Sequence, residues 1–444
     1  MSTATTHPIA DRSTASTGAF FERLLSRPHP FDVRLWDGTL LQGDGPPRFT
    51  VVLHSPGAAR RMFRLPVELA IGEAFIRGDF DIEGDLFAAF GWMRTLSTTA
   101  QSASDWVALA RLYQALPNDP VANTITRGPA HLSGTLHSKE RDRAAIRYHY
   151  DVGNDFYALW LDQRMNYSCA YFRTGTEDLD AAQQAKLEHI CRKLRLKPGE
   201  RLLDIGCGWG GLALYAAQNY GVKALGVTLS AKQHALANER IAAAGLTDRV
   251  AVEFMDYRDL GDAQFDKIAS VGMFEHVGRR HLPEYFAHAY RLLKLGGLFL
   301  NHGISAHPHG DTRNASAWER VIERHILGSG QFVGRYIFPD GELEPVSEVN
   351  LLAERAGFEV RDVENLREHY ALTLRHWVAR LEAHRDRAVR LVGDTVYRTW
   401  RLYMAGSAVG FESGGINVNQ TLLAKPAQGA ANLPLTREDW YANP

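Results

Sequence analysis

A doubly wound α/β domain behind a smaller α+β unit is what this sequence predicts, and two features carry the prediction. Leu202-Leu-Asp-Ile-Gly-Cys-Gly-Trp-Gly-Gly-Leu212 runs an apolar strand into a Gly-x-Gly-x-Gly turn and then a helix-like stretch, Leu212–Asn219. That is the cofactor crevice of a Rossmann-like sheet. From Arg201 onward, strand and helix patterns alternate, an order that gives a parallel sheet with helices on both faces.

The glycines at 206, 208 and 210 let backbone approach a ligand where a Cβ would clash. Dinucleotide enzymes share such a turn, but they mark the ribose site with an acid about 20 residues on. Here the second strand, Val222–Val227, ends in Thr228-Leu-Ser-Ala-Lys-Gln233, with no acid. A nicotinamide cofactor is disfavoured, and S-adenosylmethionine becomes the leading reading.

The chain has 444 residues, 45% of them hydrophobic, enough for a large core and two domains. Its net charge of −1 gives no reason to expect a nucleic-acid partner. Cys169, Cys191 and Cys207 form neither a disulfide framework nor a zinc spacing, which fits a reducing cytoplasm. No apolar run approaches the roughly 20 residues of a spanning helix. A membrane would therefore be met peripherally, at its inner face.

Residues 1–18, rich in Ser, Thr and Ala, read as a disordered tail. Over 19–119 we expect a small α+β domain, a lipid-docking or scaffold unit. It opens with an apolar helix start at Phe20–Leu25. Strands follow at Asp32–Trp36, Thr39–Gln42 and Phe49–His54, around the turns Asp37-Gly38 and Gly43–Pro47. Helices are expected at Pro66–Arg77 and Leu86–Thr95. No constellation of acids, bases or thiols in this unit suggests chemistry. Residues 120–146 read as a linker. Its basic stretch, Lys139, Arg141 and Arg143 with Arg147 just beyond, suits either a solvated helix face or an anionic lipid surface.

The catalytic domain is expected over 147–444. Its strands are Arg201–Ile205, Val222–Val227, Val250–Phe254, Phe265–Val271 and Gly297–His302. Helices at Leu212–Tyr220, Ala231–Ala244 and Leu282–Leu293 separate them. Asp204, Thr228, Asp256, Glu275 and His302 fall at or just after strand ends, where such sheets bind ligands. Gly303–Ala315 and Gly328–Pro345 read as long loops beside that crevice. The late helices Leu372–Ala383 and Ala388–Ala405 read as packed elements, with a membrane-docking face through Trp377 and Trp400 as the alternative. Asn417–Ala424 reads as a closing strand.

Several separated motifs carry a family resemblance. They are Tyr148-His-Tyr-Asp-Val-Gly-Asn-Asp155, Met165-Asn-Tyr-Ser-Cys-Ala-Tyr-Phe172, Ala182-Gln-Gln-Ala-Lys186, Leu203-Asp-Ile-Gly-Cys-Gly-Trp-Gly-Gly211, Gly226-Val-Thr-Leu-Ser230 and Ser270-Val-Gly-Met-Phe-Glu-His-Val-Gly278. Together, over Tyr148 to Lys425, the chain resembles the bacterial cyclopropane fatty acid synthases and their mycolic acid relatives. The N-terminal domain is similar to that of the longer, phospholipid-acting members.

Chemistry and resemblance together place Asp204, Gly206, Gly208, Thr228, Ser230, Gln233, Asp256 and Tyr257 around the S-adenosylmethionine. The resemblance adds Tyr167 and Ser168, and it implies a bicarbonate ion held by Cys169, Glu275, His302, the backbone of Ile304 and Tyr370. An isolated alkene is a poor nucleophile, and its methylation leaves a carbocation on the acyl chain. Ring closure then needs a proton removed, and a small anion in a dry pocket serves both needs. Tyr171, Phe172, Phe274 and Tyr370 are candidates for stabilising a cation, though core packing explains them equally well. His307 and His309 near His302 invite a metal, but no acid or thiol partner follows at ligand spacing, so no metal is expected.

The implied activity is transfer of a methylene unit to the cis double bond of an unsaturated phospholipid chain in a membrane, by a homodimer. The alternative within the family is a methylene- or methyl-branched product. A small-molecule methyltransferase and a lipid-binding protein without catalysis are the remaining rivals. One departure stands between Trp318 and Arg335-Tyr-Ile-Phe-Pro-Asp-Gly341, where the chain is longer than in the short members.

Overall fold

The computed structural model describes residues 8–441 apart from 27, 94–102, 121–123, 307–329 and 432. His307, His309, Trp318 and residues 307–315 of the first long loop therefore lie outside the described residues. Residues 303–306 belong to a strand, and the second expected loop, described from Gly330 onward, includes the helix Gln331–Tyr336. Two compact units emerge, and their boundaries differ from the contiguous division at 119 and 147. The first unit gathers 1–129 with 311–337 and 392–409, and the second takes the rest.

Side chains distant in sequence explain the difference. In the first unit, the Glu68 carboxylate accepts the Phe332 N–H at 3.2–3.3 Å, and the Tyr336 hydroxyl donates to Glu73 at 3.1 Å. Gly72 packs so closely on Phe332 that a Cβ there would lie 2.3 Å from the ring. Arg398 grips Asp81 through two bonds, 2.6 and 3.1 Å. No local periodicity announces such pairings.

The sheet of this unit has the order β2-β1-β3-β4, from β1 (Phe31–Arg34), β2 (Leu40–Leu41), β3 (Phe49–Leu53) and β4 (Phe80–Gly84). The sequence reading left β4 unassigned between two expected helices, although Phe80-Asp-Ile-Glu83 alternates apolar and charged residues as a half-buried strand does. The expected disordered tail is instead helical from Pro8 to Leu24, with Thr17, Phe20, Phe21 and Leu24 buried. Residues 1–7 lie outside the described residues.

The second unit holds a seven-stranded sheet, β10-β11-β9-β8-β5-β6-β7. Its strands are β5 (Arg201–Ile205), β6 (Lys223–Thr228), β7 (Val250–Phe254), β8 (Phe265–Val271), β9 (Leu293–Ala306), β10 (Glu359–Asn365) and β11 (Ile416–Ala424). Only β11 opposes the common direction. The strand β10 was not anticipated, because Glu-Val-Arg-Asp-Val-Glu-Asn is the charged sequence of an edge strand. Alternate residues of β5 feed opposite faces, Leu202 into one apolar cluster and Leu203 and Ile205 into the other. The strand order reverses between β5 and β8, so a crevice opens at their carboxyl ends.

Much of the expected linker is folded too. Ser138 accepts the Arg141 N–H at 3.3 Å and caps the helix Lys139–Tyr150. Three of its basic residues are paired within the unit, Lys139 with Asp259, Arg141 with Asp340 and Arg147 with Asp151, while Arg143 is exposed. These pairs suit the solvated-face reading of this stretch. Trp377 and Trp400 are both buried, so the late helices are packed elements rather than a docking face. Gly393, at φ +83°, divides the expected single helix into Arg385–Val392 and Asp394–Glu412.

Candidate active site

The turn after β5 sets the geometry of the crevice. Gly206, Gly208 and Gly210 all have positive φ, and a Cβ on Gly206 would lie 2.8 Å from Met273 Cγ. Beside this turn a cleft of about 130 Å³ is lined by Tyr167, Ser168, Asp204, Gly206, Gly208, Thr228, Gln233, Asp256 and Tyr257. Nine of the ten expected cofactor residues are thus brought together.

Ser230 is the exception. Its hydroxyl accepts the Gln233 N–H at 3.3 Å and caps the helix Ala231–Ala243. The helix start claims it, since a serine ahead of an apolar-periodic run serves capping as readily as ligand binding. We expect Ser230→Ala to cost about 1 kcal/mol of stability. Cofactor affinity, measured by calorimetry, should stay within twofold.

Two other expected ligands are already engaged. The Thr228 hydroxyl donates to Gln233 Oε1 at 2.7 Å. Burial pushes the Asp256 carboxyl up, but bonds from Arg258 at 2.7 and 2.9 Å hold it below the usual carboxylate range. Arg258 also reaches Asp142 at 2.9 Å. Asp256 is therefore a fixed anion beneath Tyr257.

The floor of the cleft carries a charge pair the sequence reading did not assign. Lys186, from the helix Leu179–Leu194, lines the cleft and donates to Ser168 Oγ at 3.0 Å. Burial pulls its ammonium down to about 8, against nearby Asp162, Cys169 and Asp204. Burial raises Asp204 to about 7, against the attraction of Lys186. An acid and a base facing one open glycine turn suit the ammonium and carboxylate of an amino-acid group. Gly208 meets nothing within 4 Å where a Cβ would stand. The residues present fit S-adenosylmethionine.

Behind the cleft lies the second set. Val271 and Gly272 line the cleft; Val271 pairs with His302 across β8 and β9, and the Gly272 N–H donates to the His302 carbonyl at 2.8 Å. Glu275 Oε1 accepts the Ile304 N–H at 2.7 Å. Ile304 pairs with Val418, whose carbonyl takes the Leu366 N–H at 2.9 Å. The Leu366 carbonyl in turn accepts the Tyr370 N–H at 3.1 Å and the Cys169 thiol at 3.7 Å. Short steps of backbone thus connect all five expected residues.

Glu275 Oε2 and His302 Nε2 are buried and have no hydrogen-bond partner among the described residues. Burial raises the Glu275 carboxyl to about 7, although the Ile304 N–H favours its anion. Burial, helped by Lys186 and Lys193, pulls His302 down to about 3, so its ring is neutral. Burial also pushes the Cys169 thiol up, leaving it protonated. A neutral carboxylic acid and a neutral imidazole can both donate to one small anion, and orphaned buried polar atoms of this kind call for a partner.

Of the proposed cation-facing rings, Tyr171 is sandwiched between His189 and His369, at 4.4 and 4.8 Å. Phe172 stacks on His376 at 5.5 Å, and Phe274 presses against Gly303. These three serve packing. Tyr370 lies against Phe411 at 4.6 Å and Trp377 at 5.9 Å.

Residues 137–421 match the family model described as mycolic acid cyclopropane synthetase. The chain belongs to that family. It is an S-adenosylmethionine-dependent methyltransferase. A probable fatty acid methyltransferase of Pseudomonas putida is 43% identical over 414 residues, 93% of this chain and 96% of its own. The cyclopropane-fatty-acyl-phospholipid synthase of Escherichia coli is 40% identical over 290 residues, 65% of this chain and 70% of its own. The crystal structure of mycolic acid cyclopropane synthase CmaA1 complexed with SAH and CTAB covers 63% of this chain and 97% of its own. Its TM-score is 0.59 at 35% identity.

Within this cyclopropane synthetase family member, the sequence signal for Lys186 was a charge inside an apolar-periodic helix. Seeing its role requires knowing that Ser168, eighteen residues earlier, folds back onto it.

Proposed function

We propose that this enzyme transfers a methylene unit from S-adenosylmethionine to the cis double bond of an unsaturated phospholipid acyl chain, with bicarbonate bound beside Glu275 and His302. The observation that carries the reading is the pair of partnerless buried atoms, Glu275 Oε2 and His302 Nε2, directly behind the cofactor cleft. When bound, S-adenosylmethionine supplies an electrophilic methyl group, and bicarbonate supplies a base.

The chain's own residues do the rest. Asp204 and Lys186 hold opposite charges at the cleft floor and orient the amino-acid end of the cofactor. Gly206 and Gly208 let the backbone close on it. The Ile304 N–H pins one oxygen of Glu275 and leaves the other to face the anion. Glu275 in its acid form, His302 as a neutral ring and Tyr370 surround that anion without repelling it. Burial of this whole group excludes water, which strengthens each bond to the anion and protects a lipid cation from capture. Among the described residues no helix is long and apolar enough to cross a membrane. The proposal, resting on the family resemblance, also has the enzyme act as a peripheral homodimer on the cytoplasmic membrane face, which vesicle flotation and light scattering check.

A methyl-branched product is the second reading, favoured by the Pseudomonas putida relative, a probable fatty acid methyltransferase that matches nearly the whole chain. Labelled S-adenosylmethionine and mixed unsaturated liposomes, with and without a reduced nicotinamide as the hydride donor a saturated branch requires, separate the two. Mass spectrometry distinguishes a saturated methyl branch from a ring by two hydrogens, and ozonolysis cleaves an exomethylene while sparing a ring. A cyclopropane product is expected; a branched chain alone overturns the reading.

The pH profile follows from Glu275. Its acid form persists up to about pH 7 and is lost as pH rises through that value. We therefore expect kcat/KM to fall on the alkaline side of a limb near pH 7. Glu275→Gln, which cannot ionise, should lose that limb while keeping part of the activity. An unchanged alkaline limb in the variant would assign it elsewhere.

A further inference from the structure

We infer that Gln420 is a positioning residue that fixes the tautomer of His302, so that the ring hydrogen sits on Nε2 and points at the anion site. The inference rests on the anion reading given above and adds to it the group that decides what His302 can donate.

The register of the sheet makes the arrangement. Strand β11 lies between β9 and β10, and Gln420 pairs with His302 on one side and Glu364 on the other. Gln420 and His302 are 1% and 2% exposed, so neither bonds to bulk water. Gln420 Nε2 stands 3.1 Å from His302 Nδ1.

Two hydrogen arrangements satisfy that distance. In one, the carboxamide N–H donates to a bare Nδ1. In the other, the amide is turned over and Nδ1–H donates to its oxygen. The remaining amide atom discriminates. As oriented, Gln420 leaves Oε1 and the second hydrogen of Nε2 without a partner among the described residues. Turning the amide would instead leave both hydrogens of the NH2 group where that oxygen finds nothing. The choice is between stranding one carbonyl oxygen and stranding a second N–H, and a buried orphan N–H is the less tolerated of the two. The carboxamide therefore donates, Nδ1 accepts, and the single ring hydrogen belongs to Nε2.

The charges around the ring keep this a question of tautomer rather than of protonation. Lys186, His189 and Lys193 approach from the helix Leu179–Leu194, Glu364 approaches from β10, and burial with the two lysines keeps the imidazole neutral. Glu364 itself is held by His189 at 2.7 Å and by Lys193, which leaves Gln420 as the group on Nδ1. A neutral ring has one N–H to give. On Nε2 it meets an anion as a donor; on Nδ1 it would turn a lone pair toward that anion and repel it. The partner on the other ring nitrogen decides which occurs.

The test reads the tautomer directly. Full-length protein labelled with ¹⁵N-histidine gives long-range ¹H–¹⁵N correlations, with the His302 signals assigned by their loss in His302→Asn. In the unsubstituted protein we expect a pyrrole-type Nε2 and a pyridine-type Nδ1. Gln420→Met should populate both tautomers, and Gln420→Glu should move the hydrogen to Nδ1 or charge the ring. Each variant should raise the bicarbonate concentration for half-maximal rate and lower kcat by about 10–100-fold. The KM for S-adenosylmethionine should stay within about twofold.

A pyrrole-type Nδ1 in the unsubstituted protein would overturn the inference without recourse to any variant. So would an unchanged tautomer and an unchanged bicarbonate response in folded Gln420→Met. A rate that ignores bicarbonate in the unsubstituted enzyme would instead sink the anion reading, while the spectra still report the tautomer.

Discussion

Glu275→Leu is expected to lower kcat/KM by about 10²–10³-fold, the loss typical of removing one preorganised group from a dry charge-stabilising site. Leucine fills similar volume but takes away both roles of the carboxyl. It strands the Ile304 N–H, which now donates to Oε1 at 2.7 Å, and it removes the acid that would face the anion. A stranded buried donor costs about 1–3 kcal/mol of stability, so a modest fall in melting temperature should accompany the loss. S-adenosylmethionine binding should persist, because Glu275 does not line the cofactor cleft. Calorimetry on the variant separates the two effects: retained cofactor affinity with lost turnover supports the assignment. Lost cofactor affinity would place Glu275 in the cleft architecture instead.

Gly206→Val is expected to have an effect of similar size by a different route. The turn holds Gly206 at φ +77°, a region that a β-branched residue enters only with strain. Its Cβ would stand 2.8 Å from Met273 Cγ, so Met273 must move, and Met273 itself lines the cleft. Strain of about 1–3 kcal/mol and a displaced cleft wall should together raise the cofactor dissociation constant by about 100-fold. Saturating cofactor should recover part of kcat, since Glu275, His302 and Tyr370 stay in place. A variant that binds normally would mean that the glycine turn does not contact the cofactor.

These two residues show what was legible from sequence and why. Gly206 stands in a strand–turn–helix whose apolar pattern is local, and a local pattern survives the absence of coordinates. Glu275 was locatable just after β8 by the same logic, whereas His302, expected at a strand end, lies inside β9, which continues to Ala306; the roles of both came from family resemblance. Ser230 caps a helix, a position where a cap and a ligand look alike in sequence. Lys186 and Gln420 were missed because their partners, Ser168 and His302, lie 18 and 118 residues away. Strand β4 is a short segment between two expected helices, and β10 carries a register shift between Val360 and Asp362 that breaks its alternation. Phe332 and Arg398 join the first unit through side-chain contacts with Glu68, Gly72 and Asp81, which no local pattern announces.

The logic of the site is therefore physical. A sheet reversal opens a cleft, a glycine turn lets the cofactor in, and behind it burial holds an acid and an imidazole neutral. In the proposed function, the anion shared by those two groups is what allows a ring to close.

The response of the rate to bicarbonate bears on that point most directly. Enzyme and liposomes freed of carbon dioxide are assayed with labelled S-adenosylmethionine while bicarbonate is added back. The account predicts a low starting rate that rises to saturation in the unsubstituted enzyme and stays flat in Glu275→Leu. A full rate without bicarbonate, indifferent to its addition, would contradict it.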